Sequence, residues 1–342
     1  MRKAATVKDV AALAGVSLGT VSNHINATKV VAPATAQRIE DAIAALKFVP
    51  NNAVRTLHGR SSKVIGFVVP DGTNPFFTEL ARHVEGVARA QDCVVVFCDT
   101  AGDPERERAY LRRLAEMRVT GVVLTSTDHE SVRLDDLESV GAKIVLLGDE
   151  KAGVVASSVS ADHFSGGYLA MDHLLSIGRR NILFAGGPGG GSVLDERMAG
   201  VERALTEHPE SDGRLRRVDA AGRMVGERAA LVEAILGPED PPDAVLCGND
   251  MIALTIMNAL LRRGVRIPDE VALVGHDDIE AAQQAVIPLT TVRQPISELG
   301  RTAAELLFSS SAGAKPQHIA FRPELIVRES TVRPPDRPAI RL

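Results

Sequence analysis

The 342-residue chain has no tryptophan, two tyrosines and three cysteines, and each scarcity removes a class of explanation. There is no Cys-x-x-Cys pair and no cluster of histidines, so neither a disulfide framework nor a metal site is expected. Cys93, Cys98 and Cys247 lie in apolar, strand-like runs and read as core-packing residues. No run approaches the roughly 18 apolar residues of a membrane span, and the basic N-terminus carries no apolar signal segment, so a cytoplasmic protein is expected. Catalytic signatures are missing as well: there is no His-Glu-x-x-His and no Gly-Lys-Ser/Thr. The strongest phosphate-loop signal, Gly186-Gly-Pro-Gly-Gly-Gly-Ser, fails in detail, because a Gly-x-Gly-x-x-Gly frame begun at Gly187 meets Gly189 and then Ser192. It reads as a strand-to-helix loop beside a cleft. No cofactor and no enzyme activity are expected.

What is present begins at residue 6. Val7, Val10, Ala11 and Ala14 recur at helical spacing, Gly15 supplies a tight turn, and a second short helix follows Ser17, which can cap it. A third apolar stripe, Ile39, Ala42, Ile43 and Leu46, follows Pro33 and would complete a three-helix core. Two short helices about a glycine turn form the helix-turn-helix pattern, and the second helix carries the short polar residues Thr20, Ser22, Asn23 and Asn26, suited to phosphates and base edges. The alternative is a small bundle that merely packs on a larger domain.

Charge supports the first reading. Residues 1–60 hold eight Lys or Arg against three acids, a net of +5, while the whole chain is −5, leaving −10 for the remainder. A basic module on an acidic body is what phosphate neutralisation by one end of a protein requires.

Beyond residue 60, apolar runs alternate with amphipathic stretches, the signature of parallel strands joined by crossover helices. Strands are expected at 64–69, 94–98, 121–124, 144–147, 181–185, 244–247 and 271–274. Helices are expected at 77–90, 105–117, 165–177, 195–205, 251–263 and 296–307. That count suits two doubly wound lobes, and ligands of such sheets collect beyond the carboxyl ends of the strands. The loops there include Asp71-Gly-Thr-Asn-Pro-Phe-Phe, Gly148-Asp-Glu, Gly248-Asn-Asp and His276-Asp-Asp.

Several ordered motifs carry a resemblance that runs nearly end to end. Lys8-Asp-Val-Ala-Ala-Leu-Ala-Gly-Val-Ser-x-x-Thr-Val-Ser, Phe48-Val-Pro-Asn-Asn-Ala-Val-Arg-x-Leu, Asn74-Pro-Phe-Phe, Arg197-Met-Ala-Gly, Asn249-Asp, Gly275-His-Asp-Asp and Pro288-Leu-Thr-Thr-Val together resemble the LacI/GalR family of transcriptional regulators. The resemblance implies a small all-α helix-turn-helix headpiece at 1–50 and a hinge helix or linker at 51–60. It also implies an α/β core of two doubly wound parallel-sheet lobes like those of periplasmic binding proteins. The N-terminal lobe would be 61–161 plus 293–325, and the C-terminal lobe 162–292 plus 326–342. Family members are homodimers, so double-stranded DNA bearing a palindromic operator, a small sugar-like effector and a second copy of the chain are the implied partners, with a nucleoid-associated location.

Residue by residue, the resemblance gives Thr20, Ser22 and Asn26 phosphate-facing or helix-positioning roles and places Leu18, Gly19 and Asn23 at the base edges. Thr6 and Ser17 belong to the same DNA-facing set. Position 23 is often arginine in the family; Asn23 instead suits adenine, Leu18 a thymine methyl, and Gly19 reads nothing by side chain. His24 either adds a contact or is a plain surface residue. In the hinge, Leu57 is similar to the family's minor-groove leucine, which wedges a central base step open, with Asn51 and Arg55 beside it. Arg197, Asn249 and Asp277 match the family's effector-cleft residues, with Asp149 and Asn74 as further candidates. Asp277 is otherwise a helix cap, and Arg197 otherwise an interlobe salt-bridge partner. Phe76 and Phe77 match an aromatic pair that either flanks a ligand or packs in the core. His163 follows Asp162 where asparagine is usual, which argues against a simple hexose pyranoside. A regulator governed by a protein corepressor, or a sugar-binding module without specific DNA binding, are the alternative readings.

Overall fold

The computed structural model describes residues 5–26, 28–49, 62–125, 134–148, 155–186, 191–219, 233, 235, 237, 240–309 and 315–333. The chain divides into two compact units, residues 1–62 and 63–342.

The first unit holds α1 (Val7–Ala14), α2 (Leu18–Asn26) and α3 (Pro33–Leu46). Local signals set their bounds. Thr6 and Asp9 form a reciprocal capping box ahead of α1, and Gly15 ends it in the left-handed region at φ 64°. Pro33 opens α3, where its missing N–H costs nothing. Val10, Ala11, Ala14, Val21, Ile39, Ala42 and Phe48 form one buried cluster, so each helix contributes its apolar face to a single small core.

Among the described residues the second unit contains two six-stranded sheets. The first is built from β1 (Val64–Val69), β2 (Val94–Asp99), β3 (Gly121–Leu124), β4 (Lys143–Leu147), β5 (Ser157–Ala161) and β11 (His318–Phe321), in the order β11-β5-β4-β3-β1-β2, all parallel. The second is built from β6 (Asn181–Gly186), β7 (Arg214–Asp219), β8 (Ala244–Cys247), β9 (Ala272–Asp277), β10 (Thr290–Arg293) and β12 (Glu324–Ile326). Its order is β12-β10-β9-β8-β6-β7, parallel except for the β10–β12 pair.

Helices cover both faces of each sheet. Around the first run α4 (Pro75–Ala90), α5 (Pro104–Glu116), α6 (Asp135–Ser139) and α11 (Ile296–Ser309). Around the second run α7 (His163–Ser176), α8 (Gly191–Glu207), α9 (Asp250–Arg262) and α10 (Glu280–Gln283). The period-two alternation of β1 explains the two-sided cover: Ile65, Phe67 and Val69 pack with α4 and α11, while Val68 faces the α5 side.

The chain passes between the sheets three times, after β5, after β10 and between β11 and β12. It re-enters the second sheet by Glu324, ahead of the 325/326 boundary expected from the resemblance. In each sheet the strand order reverses beside the first strand, β1 and β6, and the loops at those reversals are where doubly wound folds bind ligands.

Candidate functional site

In the first unit the expected DNA-facing residues are largely engaged with their own helices. Thr6 Oγ1 accepts from Asp9 N at 3.4 Å, and the Asp9 carboxylate accepts from Thr6 N at 2.8 Å and Thr6 Oγ1 at 2.7 Å. Ser17 caps α2, its Oγ accepting from Thr20 N at 3.1 Å and lying 2.8 Å from Thr20 Oγ1. Asn26 donates to the Ser22 carbonyl (2.9 Å) and Ser22 Oγ (3.2 Å), and Asn23 Oδ1 accepts from Thr28 Oγ1 at 2.9 Å. His24 pairs with Glu40 of α3 at 3.5 Å. Leu18, 46% exposed, and Gly19 stand outward on the first turn of α2. The result is a short helix whose polar side chains are held in fixed positions and whose leading edge is open. Asn51, Arg55 and Leu57 lie outside the described residues, as does Asp149.

In the second unit, charged and polar groups converge beyond the carboxyl ends of the strands. Arg197 projects from α8, the helix after β6, and is 7% exposed. It donates through Nη1 to the Gly248 carbonyl at 2.6 Å, and its Nη2 lies 3.4 Å from His163 Nδ1. Both of these bonds stay within the second lobe.

Gly167 sets the backbone position of Arg197. An ideal Cβ there would fall 1.9 Å from the Arg197 carbonyl oxygen, and one on Gly200 would fall 2.0 Å from the Phe164 carbonyl oxygen. Only reciprocal glycines allow α7 and α8 to approach this closely.

The expected loop at His276-Asp277-Asp278 is corrected in part: β9 continues through Asp277, because its parallel pairing with β10 extends to Asp277 opposite Arg293. Asp277 is 4% exposed and accepts from Gln294 Nε2 at 2.7 Å, and Asn74 hydrogen-bonds it as well. It caps no helix, since the N-cap of α10 is Ile279. Burial pushes the Asp277 carboxyl up to about 6, against the opposing pull of Arg197, Gln294 and Asn74.

Both asparagines expected in the cleft are helix caps. Asn74 Oδ1 accepts from Phe76 N at 3.0 Å at the start of α4, and Asn249 Oδ1 accepts from Ile252 N at 2.9 Å at the start of α9. Asn74 therefore joins a first-lobe helix terminus to a second-lobe carboxylate.

Phe76 and Phe77 form an edge-to-face pair at 5.2 Å. Phe76 packs against the buried clusters of both lobes and Phe77 against that of the first, and both rings keep part of their surface exposed.

Three site residues were given no binding role from sequence. His163 and His276 are both buried, with ring centroids 6.3 Å apart. Burial and the Arg197 charge hold both well below the usual histidine range, so both rings are neutral. His276 Nε2 is buried with no hydrogen-bond partner among the described residues. The departure from asparagine at 163 was the available signal for the first. Gln294, buried at the second interlobe crossing, gave none. Among the described residues no group of three or more His, Cys, Asp or Glu is placed to hold a metal ion, and no helix is long and apolar enough to cross a membrane.

A DNA-reading helical unit joined to a two-lobed binding core defines a ligand-responsive transcriptional regulator. Residues 6–51 match the profile of bacterial regulatory proteins of the lacI family, and residues 171–331 match that of periplasmic binding protein-like domains. The HTH-type transcriptional repressor PurR of Vibrio parahaemolyticus serotype O3:K6 is 35% identical over 334 residues, covering 95% of this chain and 98% of that protein. Among solved structures, a transcriptional regulator CelR–cellobiose complex is 29% identical with a TM-score of 0.68, covering 95% of this chain and 99% of that one. The lac repressor dimer bound to operator and the anti-inducer ONPF is 26% identical with a TM-score of 0.79, covering 96% and 100%. The chain belongs to the LacI family: it is a DNA-binding transcriptional repressor with a periplasmic-binding-protein-like effector domain.

Proposed function

We propose that the protein acts as a cytoplasmic homodimer whose two headpieces bind a palindromic operator of carbon-source genes, and that a small sugar-like metabolite between the lobes sets operator affinity. The lobes on this reading are residues 61–161 with 294–323 and residues 162–293 with 324–342, since β10 runs to Arg293 and β12 begins at Glu324 in the second sheet. The observation that carries it is the convergence of Arg197, Asp277 and Asn74 from two lobes on one buried polar site. Adjacent hydroxyls are held well by a guanidinium and a carboxylate, and the unpartnered His276 Nε2 supports a ligand that hydrogen-bonds there. The cellobiose held by one structural neighbour favours the same ligand class.

Dimerisation is supported by β2, the edge strand of the first sheet, which exposes Val94 (61%) and Phe97 (39%). An apolar sheet edge of this kind calls for a covering partner, and the neighbouring lac repressor is a dimer on its operator. Ligand closure of the lobes would change operator affinity by a coupling of about 1–3 kcal/mol. The test is selection from a random duplex library by the purified protein at physiological salt, without ligand and again with pooled sugars. An enriched palindrome is expected, and its enrichment should change on adding the sugars. No enrichment under either condition overturns the operator reading, and enrichment indifferent to every sugar overturns the proposed effector class.

A further inference from the structure

His163 lies outside the sequence-derived site, yet it holds the cation at the centre of that site. It is the first residue of α7, directly after the N-cap Asp162, whose carboxylate accepts from Ser165 N at 2.8 Å and Ser165 Oγ at 2.6 Å. The helix start therefore fixes where the imidazole stands.

Arg197 meets it from the neighbouring helix α8, with Nη2 3.4 Å from His163 Nδ1 and Nη1 donating to the Gly248 carbonyl at 2.6 Å. A guanidinium has donors and no acceptor, so His163 Nδ1 offers its lone pair and the ring proton resides on Nε2. A doubly protonated ring would turn an N–H toward the guanidinium. Burial and the arginine charge both oppose that form. On the other side the ring neighbours the equally buried His276, which fits against Gly166, where a Cβ would come within 2.9 Å of His276 Cε1.

We propose that His163 is a positioning residue for Arg197: its Nδ1 lone pair and the Gly248 carbonyl clamp the two terminal nitrogens of the guanidinium, orienting it before an effector arrives. This rests on the reading of Arg197 as an effector-binding residue. A long, flexible side chain ordered in advance does not lose its freedom on binding, and binding strengthens accordingly.

The test uses the full-length protein, with 15N in its histidine and arginine side chains. His163 is expected as the neutral Nε2–H tautomer with Nδ1 hydrogen-bonded, and the Arg197 Nη signals are expected to be resolved, because rotation of the guanidinium is restrained. His163→Asn keeps an acceptor on the same atom position as Nδ1 and is expected to retain the Arg197 pattern. His163→Gln, whose amide lies one bond further out, is expected to lose it, the Nη signals averaging. An Arg197 pattern unchanged in both variants, or lost equally in both, overturns the proposal, as does a His163 found as the Nδ1–H tautomer. Should His163→Gln fail to fold, the wild-type tautomer decides. None of these readouts needs an effector, so they stand apart from the effector role of Arg197, which Arg197→Ala tests separately.

Discussion

Gly167 and Gly86 both lie inside helices, and the same change to alanine is expected to act in opposite directions at the two. A Cβ on Gly167 of α7 would meet three backbone atoms of Arg197: its oxygen at 1.9 Å, its carbonyl carbon at 2.7 Å and its Cα at 2.9 Å. No rotamer change relieves a clash with backbone, so α7 and α8 must part by roughly 1.5 Å to restore ordinary contact at about 3.5 Å. Overpacking of this kind costs about 1–3 kcal/mol, and the backbone collision places Gly167→Ala at the upper end. Alanine's better helix propensity returns about 1 kcal/mol, which leaves a net loss of about 2 kcal/mol. Arg197 moves with α8, so the effector response should fall with the stability. Gly86 of α4 has nothing within 4 Å of its Cβ position, so Gly86→Ala keeps only the propensity gain and should stabilise by about 0.5–1 kcal/mol. The chain has no tryptophan, so urea unfolding is best followed by far-ultraviolet circular dichroism, where both changes shift the midpoint and leave the slope unaltered. A Gly167→Ala midpoint at or above wild type would refute the close-approach argument.

Burial raises Asp277 from an ordinary 3.8 to about 6, so between about pH 4 and 6 the folded state keeps a proton that the unfolded chain has released. Its contribution to stability therefore falls as pH rises through that window, by about 3 kcal/mol at most. Asp250, also pushed upward by burial, slopes the same way, and Asp277→Asn should flatten only its own share; identical pH profiles for wild type and variant would count against the assignment. Thr6→Ala breaks the capping box and should cost the headpiece about 1 kcal/mol, read as faster amide exchange in α1; a Thr6→Ser variant as labile as Thr6→Ala would contradict the cap. Arg197→Ala should abolish the effector response while keeping operator binding, and a response equal to wild type in a titration of operator affinity would remove Arg197 from the site. Leu57→Ala should weaken specific operator binding by a few kcal/mol and spare nonspecific binding; equal losses on specific and random duplexes would exclude the wedge.

The apolar central strands are legible because each is a short Val, Ile or Leu run covered on both faces. Residues 64–69, 121–124 and 244–247 are read to the residue. Headpiece helix ends are legible for a different reason: Gly15, Ser17 and Pro33 are local stop and start signals whose partners lie within a few residues. The polar strands hide. β5 reads Ser-Ser-Val-Ser-Ala, and its polarity argues against a buried strand until the partners are known. Ser157 Oγ accepts from Gln317 N at 3.1 Å, and Ser158 Oγ lies 2.9 Å from His318 Nδ1, both supplied from the distant stretch around β11. β7, Arg-Leu-Arg-Arg-Val-Asp, is an edge strand whose charges make it resemble a loop.

The site divides along the same line between local and distant causes. Arg197, Asn249 and Asp277 are recognisable as residue types in motifs, but the backbone that aims Asp277 is not. Asp277 and Asp278 both have positive φ, 112° and 58°, a strained geometry for residues with a Cβ that costs on the order of 1–3 kcal/mol each. Surrounding groups hold that turn. Asp250 accepts from Ile279 N at 2.9 Å and from Thr291 Oγ1 at 2.6 Å, while Asp278 is paired with Arg293 and Arg328 at 2.7 and 2.6 Å. Gly275 makes this possible, because a Cβ there would fall 2.0 Å from Asp250 Oδ1. Gly275, read from sequence only as part of a motif and lying two residues before Asp277, is therefore a spacer for the buried carboxylate of Asp250. Gly275→Ala should displace Asp250, release the 277–279 turn and cost more effector response than stability. That ratio separates a residue that shapes a site from one that merely fills a core.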